Sequence, residues 1–179
     1  MLTEAQQAAL VELARLSVVA QVTGARARAE TDGEFPDASG VFVTLTRDGE
    51  LRGCLGTLKC RVGLAAEVMR CAGEAASRDP RFEPVAPGEL VALSLEVSVL
   101  GPLQRCEPPA NSAVAIGRHG LVVEQGIRRG LLLPQVAAER RWTPEHFLAQ
   151  TCVKAGLAPD AWHLGATVYR FEAQVFGGR

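Results

Sequence analysis

The sequence predicts an α+β fold, a mainly antiparallel sheet with flanking helices, and three observations carry that prediction. Strand-like runs come in pairs around tight turns, as where β-branched Val41-Phe42-Val43-Thr44-Leu45-Thr46 is followed by Asp48-Gly49. Segments with helical spacing lie between such pairs instead of alternating with single strands, which argues against a regular parallel βαβ array. The clearest strand, 93–99, points Leu93, Leu95, Val97 and Val99 one way and Ser94, Glu96 and Ser98 the other.

Taken in order, Thr3 opens a Thr-x-x-Gln capping box in which Gln6 reaches back to the cap amide. The helix that follows carries Leu10, Leu13, Ala14, Leu16 and Val18 and stops at Gly24. Residues 25–40 read as a loop. The Val41 strand turns at Asp48-Gly49 into a second strand, Leu51-Arg52-Gly53-Cys54-Leu55-Gly56. A second helix covers 64–77 and ends before Pro80, which biases Asp79 away from helical angles. The polar stretch 104–111, with Pro108-Pro109, separates this part from the rest. Residues 120–124 and 130–133 predict a hairpin around Gln125 to Arg129. Thr143-Pro144 starts a helix that passes Phe147, Leu148 and Val153 and stops at Gly156. Val168 to Phe176 is the closing strand. There is no internal repeat and no low-complexity segment, and the chain is read as one domain over 1–179 with no boundary assignable from sequence.

Composition narrows the function classes. The 179 residues, 47% hydrophobic and 22% charged, suffice for a core without metal or disulfide. A net charge of −1 gives no overall attraction to nucleic acid or an anionic membrane. Apolar runs fall short of the roughly 20 residues of a membrane span. The start, Met1 to Gln6, has no basic segment or hydrophobic signal core. Five cysteines without regular spacing predict free thiols in a reduced, cytoplasmic setting. No Cys-x-x-Cys pair occurs, and His119, His146 and His163 are not spaced as ligands, so neither a metal site nor a cofactor is expected.

The second strand carries the chemistry. Glycine weakens a strand, so Gly53 and Gly56 on either side of Cys54 indicate a close approach to the backbone. Cys54 is the candidate nucleophile; its thiolate would need a cation or a base, with Arg52 offered as the cation and His119 or His163 as the base. The alternative is a small packed cysteine. Arg52 either binds an anion or forms a structural ion pair with Asp79 or Glu96. Arg128-Arg129, at the expected hairpin tip, reads as a solvated face without the interleaved aromatics of single-strand binding. Gly117-x-x-Gly120 lacks the strand-to-helix setting of a dinucleotide loop, and Trp162 and Tyr169 read as core.

These residues carry a resemblance. Leu51-Arg52-Gly53-Cys54-Leu55-Gly56 is similar to the signature of the AMMECR domain family, in which isoleucine is common at the position of Leu55. Further blocks match in the same order: Asp79-Pro80-Arg81-Phe82, Glu96 to Leu100, Gly117-Arg118-His119-Gly120-Leu121, Leu132 to Val136, Cys152-x-Lys154-Ala155-Gly156-Leu157 and Tyr169-x-Phe171. The resemblance implies a larger and a smaller subdomain around a cleft that contains the Arg-Gly-Cys motif. It implies partners in a Memo-like protein and a radical S-adenosylmethionine enzyme; the binding residues expected at that cleft are Gly53, Leu55 and Gly56 with Asp79, Arg81, Glu96 and His119. Whether such a domain is itself an enzyme is left open: Cys54 and Arg52 are the catalytic candidates, acting on a small anionic or nucleotide-like substrate, and a non-catalytic binding module is the other reading.

Overall fold

The computed structural model describes residues 1–25 and 34–178. It is an α+β protein in which every strand pairing described is antiparallel. The chain divides into two compact units, Met1–Leu100 with Gln174–Arg179 and Gly101–Ala173.

In the first unit, helix α1 (Glu4–Thr23) begins at Thr3 with both halves of the capping box in place and ends at Gly24, whose φ of 74° is the left-handed angle that favours glycine. Leu10, Leu13, Ala14 and Val18 are buried, but Leu16 is exposed, lying outside the face that packs. The predicted loop at 25–40 falls partly outside the described residues. Strand β1 (Gly40–Arg47) and strand β2 (Glu50–Thr57) form a hairpin through Asp48 and Gly49, both at positive φ, the geometry that suits the twist of paired strands. The register slips between Leu45 and Thr46, so that Leu45 faces Gly53 and Thr46 faces Leu51; Arg52 is the residue left over at this bulge. Helix α2 (Leu64–Ser77) and strand β3 (Leu93–Leu100) follow, the latter beside β1. The C-terminal part of strand β7 (Thr167–Gly178) completes this sheet next to β3.

Cross-strand partners share a face, and this sorts the first unit into two surfaces. Val41, Val43 and Leu45 of β1 and Leu95, Val97 and Val99 of β3 join buried residues of α1 and α2 in one apolar core. The opposite face carries Phe42, Thr44 and Thr46 with Cys54 and Gly56 of β2 and Ser94, Glu96 and Ser98 of β3. The close approach signalled by the glycines is made by the protein itself. A Cβ on Gly53 would run into the carbonyl oxygen of Ala75 in α2, and one on Gly56 into the Phe42 ring and the Val41 carbonyl.

The second unit holds β4 (Gln104–Arg105), β5 (His119–Gln125), β6 (Arg128–Leu132) and the first part of β7, with helices α3 (Pro134–Glu139) and α4 (Pro144–Lys154). Its core gathers Leu121, Val123, Phe147, Leu148, Cys152 and Val168. α4 is capped by Thr143 as predicted and Val153 on it is exposed. The β5–β6 hairpin is tighter than expected: Arg128 and Arg129 belong to the strand, where Arg129 pairs with Glu124 at 2.8 Å, instead of sitting at the tip. Trp162 and Tyr169 are both half-buried, and Trp162 packs against this core.

Candidate functional site

β2 and the turn after α2 position the candidate residues of the first unit. α2 stops at Ser77 because Pro80 cannot continue it, and Asp79 is left buried, 4% exposed, below the strand. Its carboxylate accepts from the backbone N–H of Cys54 at 2.8 Å and from the Arg81 guanidinium through Nε at 2.9 Å and Nη2 at 2.7 Å. Arg81 also donates from Nη2 to the Cys54 carbonyl at 3.4 Å. The Cys54 residue is thus held at both its N–H and its carbonyl by the Asp79–Arg81 pair. The guanidinium, more than the backbone donors, holds the Asp79 carboxyl far below the usual carboxylate range, against the opposing effect of burial.

Cys54 projects to the polar face of the sheet. Its sulfur accepts a hydrogen bond from the Thr44 hydroxyl at 3.4 Å, across β1 from Glu96 in the same cross-strand row. Thr44, Thr46, Ser94 and Glu96 line a cavity on this face that Phe176 and Gly177 close from β7. Arg81 lies close enough to the thiol for the two to interact electrostatically.

Arg52 does not serve as that cation. The bulge turns it away, and it makes a bidentate pair with Glu89, Nε to Oε1 at 2.8 Å and Nη2 to Oε2 at 3.0 Å, while Nη1 donates to the carbonyl of Glu83 at 2.9 Å. The guanidinium pulls the Glu89 carboxyl down to about 2. Arg52 is therefore a clamp on segment 83–89. Its carboxylate partner is Glu89, and Asp79, one of the partners expected from sequence, is taken by Arg81.

Of the other expected residues, Gly53 and Leu55 face the helices, Leu55 against the first core, while Gly56 and Glu96 lie on the Cys54 face. His119 belongs to the second unit. It is buried, its Nδ1 accepts from the Ala115 N–H at 3.0 Å, and burial, reinforced by Arg170 and Arg118, pushes its proton affinity down. A neutral, internally bonded imidazole is a structural element of the bend before β5. His163 is exposed against Trp162, also in the second unit. Burial drives the remaining thiols toward the inert form, Cys71 up to about 11 and Cys60, Cys106 and Cys152 upward as well. Among the described residues no three His, Cys, Asp or Glu side chains gather around a point where a metal would sit, and no helix is long and apolar enough to cross a membrane. Thr44 and Glu89 are the side-chain partners of Cys54 and Arg52 that the sequence did not reveal. Thr44 was legible from the strand alternation as a residue of the face opposite Val43 and Leu45, whereas nothing local marks Glu89 as the partner of a residue 37 positions earlier.

The family model described as AMMECR1 matches residues 11–176. A protein of Methanosarcina acetivorans is 44% identical over 185 residues, spanning 98% of this chain and 93% of its own length. One of Methanothermobacter thermautotrophicus is 45% identical over 176 residues, spanning 93% and 91%. The crystal structure of an uncharacterised protein from Pyrococcus horikoshii is similar with a TM-score of 0.84 and 42% identity, covering 94% of this chain and 89% of that one.

Proposed function

Because the chain belongs to the AMMECR1 family, we propose that the polar face around Cys54 is a binding site in a modification pathway with Memo-like and radical S-adenosylmethionine partners, and that the chain acts there by holding a guest. The observation that carries this reading is the Asp79–Arg81 grip on the Cys54 peptide. It spends a buried carboxylate on fixing backbone, while Arg81 is half-exposed and keeps Nη1 uncommitted among the described residues. An arginine anchored on one side and open on the other suits a carboxylate or another small anion. The hydrogen-bond partner of the sulfur is Thr44, whose hydroxyl fixes its position on this face and is no general base near neutral pH.

The second reading, Cys54 as nucleophile on a small anionic or nucleotide-like substrate, draws on the nearness of Arg81 to the thiol. Two variants separate the readings. Arg81→Gln, checked for fold by circular dichroism, is expected to lose co-purification of the Memo-like and radical S-adenosylmethionine partners from cells, whereas Cys54→Ser retains it and supports the pathway. Full recovery of both partners with Arg81→Gln would sink the binding site. Loss of pathway output with Cys54→Ser while the partners still bind would instead establish the nucleophile.

A further inference from the structure

The second unit contains a cavity of about 450 Å³ that no part of the reading above uses. That volume lies within the roughly 300–1,000 Å³ of small-molecule pockets. Its walls come from the strand and loop around β4, from the bend after α4 and from the start of β7. Pro108, Pro109 and Val168 form apolar surface, and Trp162, Arg105 and His163 supply the polar groups.

These three have one character in common. The Arg105 guanidinium is exposed and has no hydrogen bond or ion pair among the described residues. The indole N–H of half-buried Trp162 has no acceptor there either. The His163 ring leans on the Trp162 ring, with centroids 3.3 Å apart and planes at 33°. All three can donate, and no carboxylate lines the cavity, since Glu107, between two lining residues, is exposed and outside it. The neighbouring arginine of the unit, Arg170, is by contrast partnered, donating from Nε to Gln104 and from Nη1 to the Ala113 carbonyl at 2.6 Å. Arg105 is thus a cation left over at the mouth of a pocket walled by proline rings and an indole.

We propose that this cavity binds a small planar carboxylate, an aromatic or heteroaromatic acid. Its ring lies against Trp162 and the prolines, its carboxylate takes the Arg105 fork, and the indole or imidazole N–H supplies a further donor. Flat apolar faces reward a ring that stacks. A guanidinium rewards a carboxylate with two parallel charge-assisted bonds, which an amide of the same shape cannot form. The inference is independent of the reading of the Cys54 face, because it concerns other residues in the other unit.

The probes are 1-naphthoate and 1-naphthamide, titrated into the full chain and followed by amide chemical shifts and by tryptophan fluorescence in a Trp142→Phe background. Saturable naphthoate shifts confined to 104–110 and 161–168, quenching of Trp162, and an amide at least about tenfold weaker are the expected results, in keeping with the extra strength of charged hydrogen bonds. Arg105→Gln, a surface change that leaves the fold intact, is expected to bring naphthoate down to the affinity of the amide. The inference is overturned if naphthoate gives no saturable shifts at millimolar concentration, if acid and amide bind alike to the unaltered chain, or if Arg105→Gln leaves their ratio unchanged.

Discussion

Asp79 is nearly sealed from solvent while its partner Arg81 keeps about half its side chain in water, and that asymmetry decides what each contributes. The carboxylate cannot be rehydrated in place, so its ion pair and its bond to the Cys54 N–H must hold it. A carboxyl whose folded affinity for protons is depressed stabilises the fold fully above its unfolded value of about 3.9, and that stabilisation is lost as pH falls toward the folded value. Arg81→Ala removes the largest cause of the depression. The variant is expected to be about 1–2 kcal/mol less stable at pH 7, the lower part of the range for charged hydrogen bonds because water screens the half-exposed guanidinium. It should also lose less stability than the parent between pH 7 and pH 3. Urea unfolding at the two pH values checks both, and an unchanged pH difference would show that Arg81 does not set the Asp79 proton affinity. Residue types were legible in the sequence here, but their pairing was not. Arg52 lies two residues from Cys54 along the chain, yet the bulge opposite Leu45 and Thr46 turns it to Glu89. Arg81, 27 positions away, reaches the Cys54 carbonyl. Sequence proximity in a strand predicts a shared face only when the pleat is regular.

At the scale of elements, the glycines of the motif serve the contact between β2, its neighbour and α2. Gly53 sits under the Ala75 carbonyl, and backbone cannot yield to a new methyl as a side-chain end can. Gly53→Ala is expected to cost about 1–3 kcal/mol, the usual cost of overpacking. Gly88→Ala has open space around it and no positive φ, so it is expected to be neutral or to stabilise by up to about 1 kcal/mol through the unfolded chain. Chemical denaturation of the pair tests the assignment; equal effects would mean that Gly53 is not a contact glycine. The long elements were readable because periodicity and caps agree, as in Thr3 with Gln6 and Gly24 around α1. The short helix α3 and the 3₁₀ turns at Pro87–Ala92 and Ala110–Ala113 were not, since so few residues carry no period. Pro134 at the first turn of α3 was its one available signal.

At the scale of the whole molecule, both hydrophobic clusters form without covalent help. All five cysteines are free thiols, three of them buried. Thermal unfolding is accordingly expected to give the same midpoint with and without a strong reductant, read by circular dichroism under nitrogen. A midpoint several degrees lower in reductant would reveal a disulfide and contradict the thiol state. Fold class and family were legible because the matching blocks are spread along the chain and meet the strands and turns in order. The division into two units was not, because it depends on where the last strand goes. β7 contributes residues up to Ala173 to the second unit and Gln174–Gly178 to the first, and no composition change marks that point.

That division has a consequence for how the protein is made. On the ribosome β3 emerges with β1 already available on one side, but the segment that covers its other edge is translated only after the entire second unit. At about 5–20 residues per second the wait is several seconds. Throughout it the nascent chain displays an open strand edge of the kind that recruits other chains. The vulnerable moment of this molecule is therefore set by the order of synthesis, with the final few residues acting as the closing piece of the sheet begun by the first hundred.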